Sequence, residues 1–162
     1  MMEDIQQILL ATYKDALDAY NSMKDYKIEI GVVSSDTNRK ATFDITNAEL
    51  MYIHEHGSPL RNLPARPVLQ LTMSYTISTL FPETLKRIDD GCFKQHWSKE
   101  DVKNELEKMC VRMQSYARNV IYQSDLLAPN APSTVKRKGS DRPLLNTGQL
   151  ARSITCRLVK IV

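Results

Sequence analysis

The sequence is poor in the features that usually announce chemistry. Its apolar runs last only a few residues, so none is predicted to span a bilayer. Its five glycines form neither GxGxxG nor a Walker loop, which leaves dinucleotide and nucleotide cradles without a basis. The three cysteines, Cys92, Cys110 and Cys156, are odd in number, far apart and without CxxC or other zinc spacing. They read as reduced thiols in a reducing compartment. There is no GxSxG elbow, His96 sits in a polar linker beside Trp97, and Asp89 and Asp90 lie together at a solvated helix end. A formal net charge of +3 is too small to imply a nucleic-acid partner by itself; where the charge sits matters more. The opening "MMEDIQQILL" starts acidic and lacks the basic n-region and small-residue cleavage site of a signal peptide. No catalysis, cofactor, metal or membrane partner is expected.

Two local clusters need weighing. "HEH" (His54, Glu55, His56) is the one group of metal-type side chains close in sequence. Side chains two apart on a helix diverge by about 200°, so the imidazoles point to opposite sides, unlike the i,i+4 pair of HExxH. An ordinary helix end is the better reading. "KRKGSDR" sets Lys136, Arg137, Lys138 and Arg142 against Asp141 alone. Such a loop suits DNA phosphates or acidic protein surfaces, although a solvated loop is the plainer reading.

What is present is periodicity. At 162 residues the chain is about one domain long. Ile5, Ile8, Leu9, Tyr13, Ala16, Tyr20 and Met23 step by three and four, which predicts an amphipathic helix over 3–23 with Glu3 and Asp4 in its first turn. "YKIEIGVV" (26–33) alternates as a strand, "SSDTNRK" is a polar turn, and "ATFDI" offers a short return strand. Asn47 is expected to cap a helix through "AELMYIHEH", ended by Gly57. "GSPLRNLPARP" holds three prolines in eleven residues and is predicted to be a stiff connection, with Pro67 opening the next helix. That helix should stop or kink near Pro82 and resume as "PETLKRIDDG". Ser98, with Asp101 three residues on, opens the longest helix. Val102, Leu106, Met109, Met113, Tyr116 or Ala117, and Val120 form its stripe. Residues 128–147 carry no period and are expected to be a loop, followed by a helical turn capped by Thr147 and a strand over 153–162. That strand needs a partner, and 26–33 is the natural one. These elements predict an α+β protein: a small, mostly antiparallel sheet packed with several helices, one of them long, over about 98–126.

"IHEHGSPLRNLPARPVL" resembles the Glu-aromatic-Gly, short loop, Ile-Pro-Ala-Arg-Pro-Phe-Leu signature of bacteriophage tail-completion and virion-morphogenesis proteins, which are neck components near the junction of capsid and tail. "STVKRKGSDRPLLNTGQLARSIT" resembles the same family's Thr-Ile-x-x-Lys-Gly, Pro-Leu-Ile-Asp-Thr-Gly, Leu-x-x-Ser-Ile block. Matching positions are Glu55, Gly57, Pro64, Arg66 and Pro67, then Lys138, Gly139, Pro143, Leu144, Thr147, Gly148, Leu150, Ser153 and Ile154. His56 stands in place of the aromatic, Val68 of the Phe and Asn146 of the Asp. The two blocks cover about a quarter of the chain, in the family's order.

The resemblance implies a single virion structural domain over 1–162, with 128–147 as an interaction loop. It implies a homo-oligomeric ring, sixfold by analogy with tail symmetry, in contact with other virion proteins of the neck or tail. It places the protein in the virion, and in the bacterial host cytoplasm during assembly. The rival reading is a DNA-contacting or packaging-accessory protein acting through 136–142, in non-specific contact with packaged DNA. Arg66 is expected to pair with Glu55, or with a carboxylate or carbonyl of an adjacent subunit. Gly148 is expected where backbones approach closely.

Overall fold

Small apolar residues decide how the first helix packs. α1 (Met2–Asn21) packs on α4 (Phe81–Lys94), where Ala19 joins Ile88 and Cys92 in one core, and Ala16 is buried as well. The computed structural model describes residues 2–32, 45–123 and 125–161. After α1, a 3₁₀ turn (Ser22–Asp25) leads into β1 (Tyr26–Val32). α2 (Asn47–His56), α3 (Val68–Tyr75), α4, α5 (Lys99–Gln123), α6 (Pro132–Lys138), α7 (Gln149–Ser153) and β2 (Ile154–Lys160) follow. The fold is α+β, as the periodicity predicts.

β1 and β2 form the two-stranded sheet. The N–H of Ile161 donates to the carbonyl of Asp25 at 2.7 Å, and Arg157 reaches Glu29 at 2.7 Å. Residue numbers rise along one strand as they fall along the other, so the pairing is antiparallel. The expected pairing of 26–33 with 153–162 is found over Tyr26–Val32 and Ile154–Lys160; Ser153 belongs to α7, and residues 33 and 162 lie outside the described residues. The polar turn and most of "ATFDI" lie outside the described residues.

The helix after Pro67 does not break at Pro82. It runs on through a π-helical segment (Thr76–Leu80) into α4. Pro82 offers no N–H to the carbonyl four residues back and its ring would strike it; a widened turn removes both conflicts. α5 opens on the expected box: Ser98 N–H donates to Asp101 Oδ2 at 2.8 Å, and Asp101 N–H donates to Ser98 Oγ at 3.3 Å.

Several expectations need correction. Thr46, not Asn47, caps α2: its hydroxyl accepts from Glu49 N–H, while Glu49 accepts from Thr46 N–H. Both residues are good caps; Glu49 lies three residues past Thr46, and this decides the register. Residues 128–147 are not all loop, because Pro132 opens the seven-residue α6 and Gly139 ends it at φ 67°. Thr147 does not cap α7. Gly148 stands at the N-cap with φ 71°, and the Thr147 hydroxyl makes only a 3.4 Å contact with Gln149 N–H. Cys92 is a free, buried thiol. The expectation of thiols fails at Cys110 and Cys156, which are disulfide-bonded; sequence spacing does not report which sulfurs a fold brings together.

The chain gathers into two compact units. The first comprises Met1–Glu29, Thr76–Arg112 and Arg157–Val162. Its core is Ala19, Ile88, Cys92, Val102 and Leu106, with Tyr20, Phe93, Trp97 and Leu158 around it. Gly91 is required there, because a Cβ would lie 2.2 Å from the Trp97 ring. Glu105 is buried on α5, hydrogen-bonded to Arg87 and, at 3.2 Å, to Lys108. Burial alone would raise its carboxyl pKa, but these two cations hold it below the ordinary value. The second unit comprises Ile30–Tyr75 and Met113–Cys156. Met51, Val68, Ala117, Val120, Ile121, Leu127, Leu150, Ala151 and Ile154 form its core.

Candidate interaction cleft

The first motif block builds a clamp in the second unit. Gly57 ends α2 at φ 72°, and the chain turns back so sharply that a Cβ there would lie 2.7 Å from Ala65 N and 2.8 Å from Leu63 O. Only glycine fits. Ser58 and Leu63 close the turn as an antiparallel bridge, with Asn62 left-handed at φ 48°. The N–H of Arg66 then returns to His54 O at 2.6 Å.

Glu55 does not pair with Arg66. Its two oxygens accept from Leu69 N–H at 3.0 Å and Gln70 N–H at 2.7 Å, the open amides at the start of α3. A carboxylate suits that positive helix end, so Glu55 of α2 acts as a cap for α3. Arg66, only 4 % exposed, donates Nε to Ala128 O at 2.7 Å and Nη2 to Pro129 O at 2.8 Å. The expected carbonyl contact exists, but within the same chain. Burial pushes its guanidinium pKa down, and both bonds go to neutral carbonyls.

Arg66 thereby ties the first block to the segment carrying the second. Beyond Pro129, Asn130 Nδ2 donates to Asp141 O and Arg142 O, at 3.1 Å each, closing the 130–142 stretch on itself. Lys138 Nζ donates to Arg142 O at 3.2 Å. Arg142 pairs with the exposed Asp125 Oδ1 at 2.9 Å, a surface contact that a phosphate could replace. Pro143 is buried, and Leu144 takes φ 58°, uncommon for a residue with a Cβ. At Gly148 a Cβ would meet Arg152 Nη1 at 3.0 Å and Tyr122 Oη at 3.2 Å, the expected close approach, though to side chains. Ser153 is buried and donates to Leu150 O at 2.7 Å, within α7. Arg118 on α5 donates to Ile154 O at 2.9 Å and fixes the start of β2.

Between the two blocks lies a cleft of about 700 Å³. Arg61, Pro64 and Arg66 line it from one block; Arg137, Lys138 and Leu144 line it from the other, with Leu50, His54, Leu63 and Leu150 among the rest. Among the described residues that line it there is no Asp or Glu. Burial, with the charges of Arg66 and Arg137, pushes the Lys138 ammonium pKa down. An anion in the cleft would relieve that field. Lys136 stays exposed on the last turn of α6, outside the lining. Sequence reading missed Arg61 and Asn130; Arg61 was visible as a cation inside the proline-stiffened loop, while Asn130 left no trace.

"HEH" divides by role: His56 Nδ1 lies 2.9 Å from Tyr52 O and its ring packs on Tyr52, while Glu55 faces α3. No group of three or more metal-type side chains forms among the described residues. A second cleft, of about 760 Å³ along α5 in the first unit, mixes both signs of charge: Asp101 and Glu107 beside Lys108 and Arg112. No helix among the described residues is long and apolar enough to cross a membrane. No family model, no curated protein and no solved structure matches the chain.

Proposed function

We propose that this chain is a structural protein of a tailed bacteriophage neck or tail end, oligomerising as a ring that completes the tail or joins it to the head. The observation that supports this reading most is the convergence of the two motif blocks, more than sixty residues apart, on one cleft. The matched residues hold its walls: Glu55 fixes the start of α3, Arg66 ties the walls together, and Gly57 and Gly148 permit the close turns. A site whose motif residues spend their hydrogen bonds on backbone presents a shape, as an assembly part requires, rather than an array of reactive groups. The reading assigns it homo-oligomeric contacts, sixfold by the resemblance, contacts with neighbouring virion proteins, and no catalysis. Disrupting the gene in a phage that carries it should leave DNA-filled heads and tails unjoined, with joining restored by added protein. Normal joined particles without it would contradict the reading.

A second reading, contact with packaged DNA, draws on Lys136, Arg137 and Lys138 at the end of α6. With Arg142, whose pairing with Asp125 is exposed, four phosphate contacts are available. The slope of log affinity against log salt would then be about −3.6 per subunit for duplex DNA. Salt-insensitive or absent binding would remove this reading.

A further inference from the structure

α1 has one apolar stripe and only half a partner. Ala16 and Ala19, toward its C-terminal end, are 6 % and 3 % exposed. At 100° per residue, Ile5, Ile8 and Leu9 lie on the same side of the helix as those alanines. Yet they are 54 %, 65 % and 64 % exposed, and Tyr13 is 60 % exposed. Every residue from Glu3 to Ala11 is exposed. The stripe therefore continues past its packing in this chain, which leaves two to three turns of helix with an uncovered apolar face. Such a face on a folded protein marks an interaction surface.

The charges indicate what covers it. Over residues 3–13 the charged side chains are Glu3 and Asp4, with no Lys or Arg among them; farther along, Asp18 is taken up by Lys99 of the same chain. An anionic membrane surface would repel this helix, and so would the same helix of another copy. The cleft of the second unit has the complementary character: Arg61, Arg66, Arg137 and Lys138 among Leu63, Pro64 and Leu144. Apolar walls with a cationic rim suit the side of an acidic amphipathic helix, which is helix-in-groove recognition.

We infer that the N-terminal half of α1, residues 3–13, docks into the basic cleft of a second copy of this chain. The contact joins two different surfaces, so it is head-to-tail and each copy both gives a helix and receives one. Repeated about an axis, it closes a ring. The inference rests on the oligomeric part of the proposed function and not on its place in a virion.

The test uses the full-length chain and measures mass in solution by sedimentation. Ile8→Ser with Leu9→Ser changes two exposed side chains, so the helical circular dichroism should stay while association weakens at least tenfold. Glu3→Lys with Asp4→Lys should weaken association, and so should Arg61→Glu with Arg137→Glu. All four charge changes together should restore it, because the signs are exchanged across the contact. An oligomer that survives the Ile8/Leu9 change overturns the inference while leaving a ring built by other contacts. Charge changes that weaken association without mutual rescue overturn the cleft as the receiving surface. A wild-type chain that stays monomeric overturns both the inference and the ring.

Discussion

The two units are held together by different means. In the first, helices meet along apolar stripes, α1 on α4 with α5 alongside, and the polar contacts are carboxylate–cation pairs such as Glu83 with Arg112 at 2.7 Å. In the second, loops are fixed by side chains bonded to backbone: Glu55, Arg66, Arg118 and Asn130 together hold eight main-chain groups. Helix packing tolerates exchange among apolar residues of similar size. A side chain that satisfies particular carbonyls or amides does not, because its loss leaves them unpaired. The first unit should therefore respond to volume and the second to single polar atoms.

The largest effect should come from the second unit's tightest turn. Gly57→Ala forces a Cβ against Leu63 and Ala65 backbone at a positive φ, and is expected to cost about 3 kcal/mol or to prevent folding. A loss below about 1 kcal/mol in denaturant unfolding would show that the turn can open freely. Arg66→Lys keeps the charge but loses the planar fork. It should cost about 2 kcal/mol and raise amide exchange around 54–70 and 128–130, with 81–112 unchanged. Equal exchange in both units would erase the contrast.

Glu105→Gln probes the first unit's most buried ion pair and should cost about 2 kcal/mol near neutral pH. The folded carboxyl pKa is depressed, so its contribution is present above the ordinary value of 4.5 and is lost as pH falls through the folded value. The gap between wild type and variant should close on acidification below about pH 4.5. A gap that stays constant to pH 2 would mean that the ion pair contributes nothing. Thr46→Ala should cost about 1 kcal/mol as a true cap. Thr147→Ala should cost only a few tenths, because its contact with Gln149 is long and Gly148 occupies the cap position. Equal losses at the two threonines would contradict the assignment of Gly148.

This contrast also explains what could be read in advance. α1 and α5 were legible because apolar side chains recur with the helical period over many turns, and the β1–β2 pair because each strand alternates. α6 was missed: seven residues between Ala131 and Gly139 are too few to show a period, and Pro132 reads equally as loop or as helix start. The π-helical segment at 76–80 left only Pro82 as its sign. In the cleft, the motif blocks were legible as blocks but their bonds were not. Arg66 reaches carbonyls of Ala128 and Pro129, and a carbonyl is common to every residue, so no letter of the sequence marks the partner. Glu55 and Arg66 looked like an ion pair because opposite charges attract the eye. Their geometry sends one to open helix amides and the other to a loop.

The proposed function stands or falls first on self-association, which the mass of the unmodified chain in solution tests most directly. Sedimentation over a wide range of concentration should give one discrete oligomer whose size stops growing, because a head-to-tail contact that closes has no free ends. A monomer at every concentration would contradict the account, and so would an open series that lengthens without limit.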